Sequence, residues 1–415
     1  MIDSDTRAAV KALFAIPAMV LGGSQRVYLT LLRRLNRARI EPHLVVLEAT
    51  GFHLPEVPRD IPIHDLHVKR ARNAVWPLVR LCRELQPRAV ISTSAHLNAA
   101  VILARSFMPL DTTVITREGA DITAPERHVS RVRLAIYKSL YRRADVVVCQ
   151  SQYLKETLAR DFAISPLKLA CIYNPVDIES LVAAARSGPS PFPNTGCHLV
   201  YAGRLAQEKG VDLLLRCMHR VRNAVPNVTL TVLGDGPEAV HLRALRRTLE
   251  LESYVRFLGE VRNPYPFLDR AACVVLPSRT EALPNVVLEA LALGTPVVAS
   301  NCSGTLEEIR ATTRFLKVCD DRTPEGLADG IIDWLHRHRN SEQTVEPAFI
   351  ARFGVDAVIE QYENLILQTV HPRPKETTVR IQPQSAEHPF TTVGLESAPT
   401  RSTTAAGHSR IRSHG

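Results

Sequence analysis

Three observations in the sequence predict an α/β protein of two doubly wound units, each a parallel sheet covered by helices on both faces. Short apolar runs alternate with amphipathic stretches along almost the whole chain. The alternation breaks once, at the Pro-, Gly- and Ser-rich SGPSPFPNTG of residues 187–196, and then restarts with the same rhythm. At 415 residues, 45% hydrophobic and 22% charged, the chain can build two cores without disulfide or metal staples.

In the first half the predicted strands are KALFAIP, HLVVLE, AVISTS, TTVITRE and DVVVCQS. Their Val, Ile and Leu come in near-continuous runs, the pattern of strands buried on both faces. Helical spacing falls between them at residues 26–37, 76–85, 97–105, 131–142 and 152–161. After the break come HLVYAG, VTLTVLG, YVRFLG, ACVVLPS and PVVAS, with helices expected over 210–224, 237–249 and 284–293. Apolar residues at helical spacing over 353–369 predict a last helix, and beyond 371 periodicity and aromatics thin out. The expected organisation is therefore a first Rossmann-like unit over 1–190 and a second over 191–352. A helix over 353–370 packs back toward the first, and a disordered tail spans 371–415. Two such units face one cleft, lined by strand ends and helix starts, where phosphorylated ligands bind.

Several function classes are disfavoured. The eight cysteines form no Cys-x-x-Cys pair and sit in apolar runs such as VVVC, as buried hydrophobes of a reducing compartment do. No His-Glu-x-x-His or similar ligand spacing occurs, so no metal is expected. The longest apolar run, ALFAIPAMVL, is too short to span a bilayer, and the acidic start MIDSDT does not suit a signal peptide. A cytoplasmic protein is expected, at most peripheral on the inner face of the cytoplasmic membrane. Residues 1–190 hold 26 Lys and Arg against 17 Asp and Glu, whereas residues 191–369 hold 19 against 22. The basic half suits an anionic partner or simply reflects Arg-rich composition. No nucleic-acid motif or aromatic-rich basic stripe accompanies it, so nucleic acid is not an expected partner.

The densest chemical signal is SRTEALPNVVLEALALGTPVVAS (278–300). Glu281 falls in the loop after a strand, Pro284 suits the first helical position, and Glu289 lies about two turns into the helix. Free amides near Asn285 and Val286 make an anion site, with Leu283 beside it. A carboxylate on each side suits a nucleotide sugar: Glu281 for sugar hydroxyls, Glu289 for ribose. In YAGRLAQEKG, Arg204 and Lys209 follow a strand end as a planar fork and a point charge, either the pair a departing diphosphate needs or, as the motif reads in isolation, an ordinary basic loop. In LGDGP, Gly234 permits a sharp turn that serves either structure or ligand contact. Gly22-Gly23 similarly open a helix where amides approach a phosphate. His96 follows the strand AVISTS, as a cleft donor or a satisfied half-buried histidine. Arg117-Glu118 ends another strand, as an acceptor contact or a structural ion pair.

GGSQRV, VVCQS, IYNPVD, YAGRLAQEKG, LGDGP, VRFLGEV and the Glu281-x7-Glu289 segment, in this order, resemble the retaining family-4 glycosyltransferases of GT-B fold, over residues 10–369. The resemblance implies a nucleotide-sugar donor held mainly by the second unit and an acceptor held mainly by the first. Arg204 and Lys209 would grip the diphosphate, Glu281 the sugar, Glu289 the ribose, and His96 would approach the transferred sugar. Ser24-Gln25 depart from the common GG-Ala-Glu-Arg form. The expected activity is metal-independent, retaining hexosyl transfer, without cofactor, to a glycan or lipid-linked saccharide in cell-surface polysaccharide or glycolipid assembly, with anionic membrane as a peripheral partner. A nucleotide-sugar epimerase of the same architecture, or a non-catalytic nucleotide-sugar binder, are the alternatives.

Overall fold

A computed structural model describes residues 9–119, 130–192, 196–337 and 345–370. Among the described residues the first sheet contains β1 (Val10–Ile16), β2 (Ile40–Val46), β3 (Ile63–Asp65), β4 (Ala89–Thr93), β5 (Thr113–Glu118), β6 (Val146–Cys149) and β7 (Leu169–Cys171), in the order β3-β2-β1-β4-β5-β6-β7. The second contains β8 (Cys197–Ala202), β9 (Val228–Leu233), β10 (Val255–Gly259), β11 (Cys273–Leu276), β12 (Val297–Ser300) and β13 (Leu316–Cys319), in the order β10-β9-β8-β11-β12-β13. Every pairing is parallel. All ten predicted strands are present. The three further strands, β3, β7 and β13, are edge strands of three or four residues, too short to carry a periodic signal.

Alternate residues of β1 divide the first core. Leu13 and Ala15 join Val90, Leu97 and Tyr141 on one face, while Ala12, Phe14 and Ile16 join Tyr28, Ile91 and Tyr362 on the other. In both sheets the strand order reverses beside the first strand, which opens a crevice at the carboxyl ends. The helices start closer to those ends than the periodicity predicts: Gly23–Arg34 rather than 26–37, and Ala95–Ala104 rather than 97–105. Apolar spacing marks where a helix packs, not where its first turn begins.

The chain changes core earlier than the Pro/Gly/Ser stretch suggests. Val176 and Leu181 already belong to the second core, carried by the helix Ile178–Ala185. Asp177 starts this helix by accepting from Ser180 N at 3.2 Å. The chain returns at Gly354, where Val176 N donates to Phe353 O (2.8 Å) and Val355 N to Val176 O (3.1 Å). The expected single helix from residue 353 is accordingly two: Pro347–Phe353, anchored in the second core by Phe349 and Phe353, and Val355–Val370, anchored in the first by Val358, Tyr362 and Ile366.

No helix among the described residues is long and apolar enough to cross a membrane. All eight cysteines are free thiols, and burial pushes Cys82 up to about 12. The tail expected to be disordered, 371–415, lies outside the described residues.

Candidate active site

The carboxyl ends of both sheets face a cavity of about 600 Å³. The first unit lines it with Gly22–Ser24 after β1, Arg117 and Gly119 at β5, and Gln150 after β6. The second lines it with Arg204 after β8, Gly234–Gly236 after β9, and Glu281–Val286 after β11.

Lys209 Nζ lies 2.7 and 2.9 Å from the two carboxylate oxygens of Glu281, whose Oε1 also accepts from Ser278 Oγ at 2.8 Å. Lys209 sits on the single 3₁₀ turn Gln207–Lys209, closed by Gly210 at φ 63°. A Cβ on Gly210 would stand 2.1 Å from Pro277 O, so glycine lets this turn lie against the exit of β11. Two segments 72 residues apart in sequence thereby place a cation and a carboxylate in contact. Arg204 extends into the cavity mouth, largely exposed, and pairs with Glu208. Burial raises the Glu208 carboxyl, but its own backbone amide and Arg204 outweigh burial and lower it overall.

The helix Asn285–Ala292 begins immediately after Pro284, which stands just outside the helix rather than at its first position. No side chain caps it, so its first amides remain available to an anion. Asn285 Oδ1 accepts from Asn174 Nδ2 of the first unit at 2.5 Å. A Cβ on Gly23 would come within 2.7 Å of Asn285 Nδ2 and push that amide aside, so glycine here lets the Asn285 side chain lie against the start of the first helix. Gly234, at φ 126°, turns where a Cβ would strike Gly203 O at 2.0 Å.

Glu289, one of the few buried carboxylates, faces the first unit. Its Oε1 meets Arg26 Nη1 at 2.7 Å, and the Arg26 guanidinium lies 5.7 Å from the Tyr265 ring centre. The Glu289 charge raises Arg26 against the opposing effect of burial. Burial raises the Tyr265 phenol.

Two family profiles match consecutive stretches of the chain: Glycosyltransferase Family 4 over residues 21–180 and Glycosyl transferases group 1 over residues 196–337. The chain belongs to the family-4, group 1 glycosyltransferases. An uncharacterized glycosyltransferase of Methanocaldococcus jannaschii is 29% identical over 245 residues, which is 56% of this chain but only 60% of that protein. The N-acetylgalactosamine-N,N'-diacetylbacillosaminyl-diphospho-undecaprenol 4-alpha-N-acetylgalactosaminyltransferase of Campylobacter jejuni is 27% identical over 312 residues, 71% of this chain and 81% of that protein. The crystal structure of Anabaena HepE in complex with UDP superposes with a TM-score of 0.69 at 19% identity, over 86% of this chain and 100% of that one. The shared fold is GT-B.

Within this glycosyltransferase the structure gathers most of the sequence-predicted residues around one cavity: Gly23, Arg117, Arg204, Lys209, Gly234, Glu281, Leu283, Pro284, Asn285, Val286 and Glu289. His96 and Glu118 are not among its lining residues. His96 is exposed on the first turn of the helix Ala95–Ala104, its Nδ1 2.6 Å from Tyr137 Oη. Glu118 turns away from the cleft, onto the Tyr141 hydroxyl and its neighbour's amide, Gly119 N (3.0 Å). Arg117 and Glu118 therefore form no ion pair with each other, because successive β5 side chains point to opposite faces of the sheet. Sequence reasoning overlooked Arg26, Gln150 and Asn174. Each lay inside a quoted motif (GGSQRV, VVCQS, IYNPVD), but their partners come from distant segments.

Proposed function

We propose that this glycosyltransferase moves a hexosyl group from a nucleoside-diphosphate sugar to a saccharide acceptor with retention of anomeric configuration, drawing on no metal. The observation that carries the reading is the Lys209–Glu281 pair beside the uncapped start of the helix Asn285–Ala292. The donor diphosphate lies on Lys209, Arg204 and the helix amides, and Glu281 accepts hydrogen bonds from sugar hydroxyls. Glu289 receives the ribose. As the bond from the anomeric carbon to the phosphate oxygen breaks, negative charge grows on the diphosphate, where these fixed donors stabilise it. The acceptor hydroxyl attacks from the same face, forming the new glycosidic bond, and its proton passes to the departing phosphate oxygen. The carboxylates lining the cavity, Glu208, Asp235, Glu260, Glu281 and Glu289, all come from the second unit, and the first unit's lining residues offer no carboxylate as a nucleophile.

The acceptor side belongs to the first unit. Its charge of +9 over residues 1–190, and the undecaprenol-linked substrate in the name of the Campylobacter relative, support a lipid-linked acceptor in polysaccharide or glycolipid assembly. With such an acceptor the protein would work at the inner face of the cytoplasmic membrane, where anionic headgroups contribute about 1 kcal/mol per basic residue near the surface. Incubation with a panel of nucleotide sugars and lipid-diphosphate saccharides, with product configuration read by NMR, tests the reaction. Inverted product, or release of free sugar alone with every acceptor, would sink it. Co-sedimentation with anionic but not neutral vesicles at low salt tests the membrane contact.

A further inference from the structure

We propose that the first unit's wall of the cavity holds an oxyanion of the acceptor, a phosphate ester or carboxylate, on Arg117, Gln150 and Ser24 around Gly119. The proposal rests on the glycosyl-transfer reading above.

Arg117 is 1% exposed. Its Nη2 donates to Asn174 Oδ1 (2.5 Å) and Gln150 Oε1 (3.0 Å), and its Nη1 reaches Thr93 Oγ1 at 3.4 Å. Its Nε has no partner. The other groups facing it are the phenols of Tyr28 and Tyr362, both raised by burial and therefore neutral at physiological pH. Among the described residues every partner of this buried guanidinium is uncharged. A buried cation is costly unless a counter-charge meets it, and among the described residues no side chain supplies one.

The geometry around Gly119 shows where the counter-charge goes. A Cβ there would lie 3.2 Å from Gln150 Nε2, 3.4 Å from Arg117 Nη1 and 3.6 Å from Ser24 Oγ. One cation and two neutral donors thus converge on a position beside Gly119 with no side chain between them, and all three residues line the cavity. Arg117 fixes the Gln150 amide by holding its Oε1, which turns Nε2 toward that position. Ser24 stands where the resembled motif carries alanine, so the hydroxyl is a feature of this chain. Two N–H donors and a hydroxyl within hydrogen-bond reach of one point suit a charged oxygen. The donor diphosphate has its own cations, Arg204 and Lys209, on the second unit's wall. The oxyanion at Gly119 therefore belongs to the acceptor.

The test is calorimetric titration of glucose 1-phosphate into the full chain presaturated with UDP, for the wild type, Arg117→Gln and Gly119→Ala. Gly119→Ala keeps the guanidinium and puts a methyl group between the three donors. The expected result is one equivalent of glucose 1-phosphate on the wild type, weakened at least ~30-fold in both variants, with UDP affinity changed less than ~3-fold and melting profiles that show both variants folded. No binding of glucose 1-phosphate by the UDP-saturated wild type, or equal binding by Gly119→Ala, overturns the proposal. A loss of UDP affinity in Arg117→Gln of tenfold or more also overturns it, since the oxyanion then belongs to the donor. Failure of the wild type to bind UDP at all counts against the donor reading separately, and the same glucose 1-phosphate titration on the unliganded chain then decides the oxyanion site.

Discussion

Arg26 Nη1 and Glu289 Oε1 meet at 2.7 Å across the cleft, joining the first helix of one unit to the helix Asn285–Ala292 of the other. The pair occupies one carboxylate oxygen, and among the described residues no hydrogen bond engages the second. Arg26 thus aims Glu289, and on the proposed reading Oε2 is the oxygen that meets a ribose hydroxyl. Replacing Arg26 by Ala should weaken UDP binding about tenfold, in line with the ~1.5–3 kcal/mol typical of a charged hydrogen bond. It should also erase the preference for UDP over its 2′,3′-dideoxy analogue, as read by calorimetry. An unchanged preference would show that Glu289 does not need Arg26 to receive the ribose.

Lys209 and Glu281 lead to a catalytic prediction. Without the ammonium, Glu281 keeps only the Ser278 hydroxyl on Oε1, and its Oε2 loses its partner in a buried position. The leaving diphosphate loses its point charge at the same time. Lys209→Met should lower kcat about 10²-fold or more, roughly 2.7 kcal/mol of barrier. Initial-rate measurements on a variant that melts like the wild type check this.

Gly210 carries the Lys209 turn and therefore couples stability to function. Its φ of 63° and the 2.1 Å approach of a Cβ to Pro277 O leave no room for alanine. Gly210→Ala should cost about 1–3 kcal/mol of folding stability by backbone strain. It should weaken UDP binding as well, because the turn must move away from β11. A drop in Tm without a change in affinity would separate the turn from the site.

Acid should loosen the molecule in a defined way. Asp177 and Asp212 are raised by burial, but Arg34 and Arg279 respectively pull each below its unfolded value. A lowered carboxylate contributes stability that is full above the unfolded pKa of about 3.9 and is lost as pH falls through the folded one. Denaturant midpoints should hold steady from pH 7 to about pH 5 and fall below about pH 4. Arg34→Ala should shrink the acid-dependent part, and an unchanged pH profile in that variant would count against the assignment.

Much of this was legible in the sequence because it is local. Strand–helix rhythm, the glycine turns and the Glu281-x7-Glu289 spacing each depend on residues close in the chain, and all ten strands and the cavity-lining loops follow from them. What stayed hidden is relational. Asn174 reads as one residue of IYNPVD, yet its amide bridges Arg117 and Asn285, which the chain brings from 57 and 111 residues away. The early change of core at Val176 was masked because the Pro- and Gly-rich stretch announces flexibility, whereas the crossing itself is an ordered bridge to Gly354.

Glu308 supplies a last prediction about how the two units are held. It belongs to the short helix Thr305–Arg310 of the second unit, yet its Oε2 accepts from Gln152 N (2.9 Å) and its Oε1 from Tyr153 N (2.8 Å), at the start of the first unit's helix Gln152–Phe162. The Tyr173 hydroxyl donates to Oε2 as well, at 2.6 Å. A carboxylate on the first-turn amides satisfies orphan donors and complements the helix dipole, so one side chain caps a helix in the other unit. A Cβ on the neighbouring Gly304 would run into the Tyr153 ring at 2.5 Å, which keeps the two elements in close contact. Glu308→Ala should therefore cost about 1–3 kcal/mol of stability, and more than Glu308→Gln, whose amide oxygen still accepts from one backbone N–H. Because Glu308 lies outside the cavity, UDP affinity at 25 °C should be nearly unchanged while hydrogen exchange at Gln152 and Tyr153 accelerates. Equal protection of those two amides in wild type and Glu308→Ala would show that the cap does not hold the units together.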